Sequence, residues 1–142
     1  MRPMTLDKLF LALHVLGTML WIGGLFAVMA FVEATVAEPD AAARGRLVKY
    51  LRQAAIVPDV GATLAIVFGA HGLMRFKLYE LHYMQGKLGL VALVLGLHVY
   101  LRGKVGKLKR GEPVTAAPVA VKPLLTLIVL GILIFVIGKV PE

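Results

Sequence analysis

The sequence predicts an all-α integral membrane protein, an antiparallel four-helix bundle in which residues 1–142 form one domain. Composition is the first observation behind this. Apolar residues make up 59% of the 142-residue chain and charged residues only 17%, with a mean hydropathy of +0.84. A water-soluble domain carries roughly 45–50% apolar and about 25% charged residues, so this chain has too little charge to coat a globule in water. The second observation is pattern: the charges lie in short stretches between four long apolar runs, without the alternation of barrel strands. The third is exclusion. So apolar a chain is not disordered, and the absence of cysteine removes disulfide frameworks and thiolate metal sites. The net charge of +8 does not point to nucleic acid, because no basic face lies on a soluble fold.

A hydrocarbon core about 30 Å thick needs about 20 apolar residues in helix. The expected spans are residues 9–32, 54–74, 83–101 and 123–140. The first is too long for a signal-peptide core and no small-residue cleavage site follows it, so it reads as a retained helix. Glu38-Pro39-Asp40 stops it. Pro58-Asp59 opens the second span, proline suiting a first turn and aspartate the positive helix end. A tight turn over 75–82 leads into the third span, and residues 105–109 are compatible with its extension as a surface turn. Pro113 and Pro118 oppose a long helix before the fourth.

Arg44, Arg46, Lys49 and Arg52 lie in the first connection, and Arg102, Lys104, Lys107, Lys109, Arg110 and Lys122 in the third. The other side holds Arg2, Lys8, Arg75, Lys77 and Lys139. The positive-inside rule then predicts a multi-pass protein of the inner (plasma) membrane, with cytoplasmic basic connections and both termini outside.

Ionisable side chains at membrane depth are costly and mark function. At ~1.5 Å per residue, His14 lies roughly 8 Å inside the outer boundary, His71 roughly 5 Å and Lys87 roughly 6 Å. His98 follows Lys87 by three helical turns on nearly the same face, near the cytoplasmic boundary. Neutral imidazole is a common axial ligand of haem iron, and bundle cores host such cofactors. Gly17, Gly23, Gly24, Gly61, Gly69, Gly86 and Gly89 would allow close approach of helices or of a porphyrin. Arg75 and Lys77 stand where propionates would emerge. This makes His14 and His71 candidate iron ligands, with Lys87, Trp21 and Arg75 as further cofactor contacts. Lys87 and His98 are candidate proton acceptors.

Plainer readings stand beside these. His14 can be a packed histidine, His71 an interfacial one, His82 a solvated turn residue, and His98 can face lipid headgroups. Lys87 can snorkel outward. Trp21, near mid-membrane, packs or lines a pocket, and Asp59 is chiefly a helix-opening residue with a proton relay as the alternative. Tyr50, Tyr79, Tyr83 and Tyr100 fit interfacial anchoring. The dispersed methionines form no cluster of the kind soft copper binding favours.

Ala12-Leu13-His14, Trp21 and Gly24-Leu25-Phe26 resemble the first helix of HemJ-type protoporphyrinogen IX oxidases. Ile56-Val57-Pro58, Thr63 and Phe68-Gly69 are similar to that family's second helix. Lys87-Leu88 with His98 is similar to its third, and Lys139-Val140-Pro141 closes the chain in a similar way. CopD-like proteins and small membrane b-type cytochromes share some of this texture. The resemblance implies four membrane helices, a b-type haem, oxidation of protoporphyrinogen IX to protoporphyrin IX in haem biosynthesis, His14 as haem ligand or essential residue, and Lys87 as a second functional residue. The chain departs from the pattern at Ala27 and Ala30, where the family has Tyr and Arg, and at Gln85, where it has His. The expected partners are a porphyrinogen or a redox partner such as quinone, the lipid bilayer and possible further copies of the chain, and no nucleic acid. The alternatives are a non-catalytic electron-transfer module, a CopD-like copper-handling protein and a bundle without cofactor.

Overall fold

The structure, a computed structural model, describes residues 5–137; Arg2, Lys139 and the expected end of the last span at Val140 lie outside the described residues. Every regular element described is helical: α1 (Leu6–Ala37), α2 (Ala41–Ala54), α3 (Ile56–Arg75), α4 (His82–Lys109) and α5 (Val121–Ile137), with a 3₁₀ turn at Leu78–Glu80. By length and composition α1, the stretch Ala41–Arg75 and α4 are long and apolar enough to cross a membrane, whereas the apolar α5 is shorter.

Local chemistry sets the breaks. After α1 the chain is extended at Glu38 and Asp40, and the Asp40 carboxylate accepts from the Ala43 amide at 2.7 Å to cap α2. Arg44 donates to the Glu38 carbonyl and fastens the corner. Only Ala55 separates α2 from α3, so the two form a nearly continuous rod. Lys77 adopts a left-handed conformation, φ 52°, in the turn before α4. Gly111, φ 70°, ends α4, where the Glu112 amide returns to the Lys107 carbonyl at 3.0 Å.

Two elements differ from expectation. The basic connection after the first span is mostly helix, because Leu47, Val48 and Leu51 give α2 an apolar side while its Arg and Lys residues stay exposed. α4 runs on to Lys109 as the sequence allowed, but with Val105 buried in the core rather than on a surface turn. α1, about 48 Å long at ~1.5 Å per residue, outruns a hydrocarbon core about 30 Å thick.

α1 is the hub, and it packs most extensively on α3. The seam between them is built from small residues. A Cβ on Gly17 would stand 2.5 Å from the Ala65 amide, and one on Gly24 would stand 2.6 Å from the Pro58 ring. A Cβ on Gly61 would collide with the backbone of Leu20 and Trp21. Gly61, Ala65 and Gly69 recur every four residues, the small-residue stripe that lets two helix backbones touch. The pairings Gly24 with Pro58, Gly17 with Gly61 and His14 with Gly69 run in opposite senses along the two helices, so α1 and α3 point in opposite directions. The partner of α4 is α5, where Phe135 covers Gly86 and Leu90 meets Gly131. Trp21, Leu25, Met29, Val32, Leu101 and Leu125 centre the core. Outside it, Leu11, Met19, Val67, Leu93, Leu127 and Ile134 are all exposed.

Gly61→Val should cost ~3 kcal/mol or more, because backbone rather than a flexible side chain occupies the space. Gly23→Ala, whose Cβ meets nothing within 4 Å, should be neutral or gain up to ~1 kcal/mol of helix propensity. Equilibrium unfolding of both variants in detergent, followed by circular dichroism, checks the contrast.

Candidate functional site

Two groups of polar side chains lie within the helices. The first is a fully engaged chain across α1, α3 and α4. The Trp21 indole N–H donates to His98 Nδ1 at 2.8 Å, and both residues are buried, at 3% and 8% exposure. His98 Nε2 is 2.9 Å from Asp59 Oδ1, and Arg102 reaches the other carboxylate oxygen at 3.1 Å. Because Nδ1 accepts from tryptophan, the proton of the neutral ring resides on Nε2 and is donated to Asp59. Both ring nitrogens therefore have partners. His98 neither faces lipid headgroups nor offers a free lone pair for a proton.

His98 and Arg102 stand one turn apart on α4, so both can grip a single carboxylate. Asp59 can face them because Pro58 seats against Gly24 at the start of α3. The Trp21 ring tilts against His98 with centroids 6.1 Å apart. The carboxylate's role was the part missed in the sequence. The signal was available as an acidic residue opening α3 at the depth where α4 carries His-x-x-x-Arg.

The second group lies toward the other end of the same helices. Half-buried His14 donates from Nδ1 to the Ala65 carbonyl at 2.7 Å. Its ring fills the space left by the missing side chain of Gly69, where a Cβ would stand 2.8 Å from Cε1. Nδ1 is thus committed, and Nε2 carries the remaining lone pair. Half-buried Lys87 on α4 lies within electrostatic range of this ring. His71 is not brought into contact with His14. It is exposed and held edge-on against Phe10, centroids 4.7 Å apart, and Phe10 lies one turn before His14 on α1. Phe68 completes this cluster, 5.2 Å from Phe10. Arg75, at the end of α3, lies 3.6 Å from Asp7, and both are exposed.

Two shallow clefts of about 230 and 250 Å³ are lined by Met19, Leu20, Gly23, Gly24, Ala27, Ala54 and Val57, and by Asp59, Val60, Thr63 and Leu64. Neither includes His14 or Lys87. Among the described residues no group of three or more His, Cys, Asp or Glu could hold a metal ion. No family model, no curated protein and no solved structure matches the chain.

The Trp21–His98 bond is open to a double-mutant test. His98→Leu strands the buried indole N–H and removes a partner from Asp59, and should cost about 1–3 kcal/mol. Trp21→Phe with His98→Leu should cost less than the two single changes together, with a coupling of ~1 kcal/mol or more. Additive costs in a denaturant titration would show that the bond contributes nothing to stability.

Proposed function

We propose that the chain is a multi-pass membrane protein, an antiparallel four-helix bundle, that holds a b-type haem through His14 and serves as an oxidoreductase resembling the HemJ-type oxidases. The observation that carries this is the orientation of His14. Its Nδ1–H is tied to the Ala65 carbonyl, as second-shell acceptors fix ligating histidines, and Nε2 is left to bind iron. The residues fit this group better than a bare metal ion. Haem iron takes four ligands from its porphyrin and asks the protein for only one or two, whereas a metal ion held by His, Cys, Asp and Glu side chains alone needs a group of three or more that the described residues lack.

Lys87, in electrostatic range of His14, supports the reading as the second group of the site. His71 does not support it as a partner ligand. α1 and α3 touch backbone to backbone beside His14, and a flat macrocycle between His14 and His71 would have to part them. When bound, the haem supplies one-electron redox chemistry. This chain's residues orient the ligand, exclude water and, at the Lys87 amine, receive a proton. His98 is the weaker acceptor because both its nitrogens are engaged. The exposed apolar faces fit a bilayer, and the inner (plasma) membrane with basic connections in the cytoplasm remains the proposed location.

Porphyrinogen is the proposed substrate, with quinone or a partner protein taking the electrons. A second reading, an electron-transfer cytochrome without porphyrinogen turnover, is favoured by one feature. The family's Tyr and Arg are replaced here by Ala27 and Ala30, and Ala27 lines an apolar cleft without any cation.

Oxidised and dithionite-reduced spectra of the purified protein, with a pyridine haemochrome assay, test the assignment. His14→Ala should lose the haem, whereas His71→Ala should keep it. Gly69→Ala, which pushes against the His14 ring, should weaken haem binding about 10–100-fold. A His14→Ala protein with full haem content would overturn the proposal. Porphyrinogen oxidation assays then separate oxidase from carrier.

A further inference from the structure

The end of the molecule formed by α2 and the last turns of α4 carries cations that the protein itself does not neutralise. The acidic groups there already have partners. Glu33 binds Lys122 at 2.7 Å, Asp59 holds His98 and Arg102, and Glu112 is taken by Arg110. Asp40 caps α2, and Glu38 accepts from the Asp40 amide at 3.0 Å. Arg44 and Lys104 are tied to carbonyls. Arg46, Lys49, Arg52 and Lys109 are exposed and have no hydrogen-bond or ion-pair partner among the described residues.

Three of these cations stand at three-residue intervals on α2, whose other side is pinned by buried Leu51. Their height is set by α3. Taking the hydrocarbon edge at Ile56, the start of α3, Arg52 lies roughly 6 Å and Lys49 roughly 10 Å beyond it, and Arg46 roughly 15 Å, at ~1.5 Å per residue. The headgroup layer is about 5–8 Å thick on each side. Arg52 therefore lies within it, Lys49 roughly 2–5 Å beyond its outer face and Arg46 roughly 7–10 Å beyond, near the Debye length of about 8 Å. Tyr50, exposed between Lys49 and Arg52, is an interfacial residue type at the same height.

We propose that Arg46, Lys49 and Arg52 form a binding surface for the phosphates of anionic phospholipids in the surrounding leaflet. This rests on the reading of the chain as membrane-embedded, and not on the haem. The surface does not depend on bilayer charge to fold, since its apolar side is buried in the protein. Anionic lipid adds a ring of counter-charges that zwitterionic lipid does not supply. A soluble acidic protein is the less fitting occupant, because Arg52 and Lys49 lie in or beside the headgroup layer.

The test uses the full chain in nanodiscs of phosphatidylcholine alone or mixed with phosphatidylglycerol. Phosphatidylglycerol should raise the thermal unfolding midpoint by a few degrees, and added salt should shrink the gain. The Arg46→Gln, Lys49→Gln, Arg52→Gln triple variant should lose most of that gain, whereas Lys77→Gln at the opposite end should keep it. Inorganic phosphate added to phosphatidylcholine discs should not reproduce it. Equal midpoints in the two lipids, or an undiminished gain in the triple variant, would overturn the proposal while leaving the membrane reading intact. Failure of the chain to enter either bilayer would overturn both.

Discussion

The backbone contact between α1 and α3 is the constraint on which the remaining structure depends. Two helices normally stand 8–10 Å apart, held off by side chains. Here Gly17, Gly24, Gly61 and Gly69 remove those side chains where the helices cross, and Ala65 keeps the remaining one small. Packing of this kind needs no hydrophobic driving force from water, which suits a chain with an apolar exterior. It also determines where the polar groups stand. The Ala65 carbonyl is accessible to His14 because α3 approaches closely enough. The Pro58–Gly24 contact likewise sets Asp59 at the level of Trp21.

α4 is fixed by a different means. It meets α1 much less extensively than α3 does, and the Trp21–His98–Asp59 chain supplies directional bonds where packing is sparse. A single polar interaction can specify register among otherwise exchangeable apolar faces. Lys87 and His98 are separated by three turns on nearly the same face. Whatever fixes the azimuth of His98 therefore also decides whether Lys87 turns toward α1 or away from it. A side chain that looks structural in this way helps determine the geometry of the other site.

Much of this fold was legible in the sequence, because composition and the apolar runs report burial in lipid or core almost directly. The helix stop at Glu38-Pro39-Asp40, the turn after Arg75 and the opening of α3 at Pro58-Asp59 follow from local backbone chemistry, which acts over a few residues. α2 was not legible as a helix, since a window dominated by Arg and Lys reads as a loop unless the few apolar positions that face the protein are singled out. For the site, depth along each helix placed His14 and Lys87 at similar levels, but depth carries no azimuth. His71 has nearly the same depth as His14 and still packs on Phe10 instead. Trp21, His98 and Asp59 were each noticed separately, and their union was hidden because it joins three helices distant in sequence.

The two polar groups differ in a way that bears on function. In the chain from Trp21 to Arg102, the indole donor, both ring nitrogens and both carboxylate oxygens have partners, so it can stabilise without reacting. At His14 one nitrogen is fixed and the other is left with an uncommitted lone pair, and Lys87, within electrostatic range of the ring, has no carboxylate partner among the described residues. Apolar surroundings make unbalanced polar groups costly, and local rules tend to be broken where a protein does its chemistry. The saturated group supplies the rigidity, and the unsaturated group presents a ring nitrogen that the protein holds in place but does not itself use.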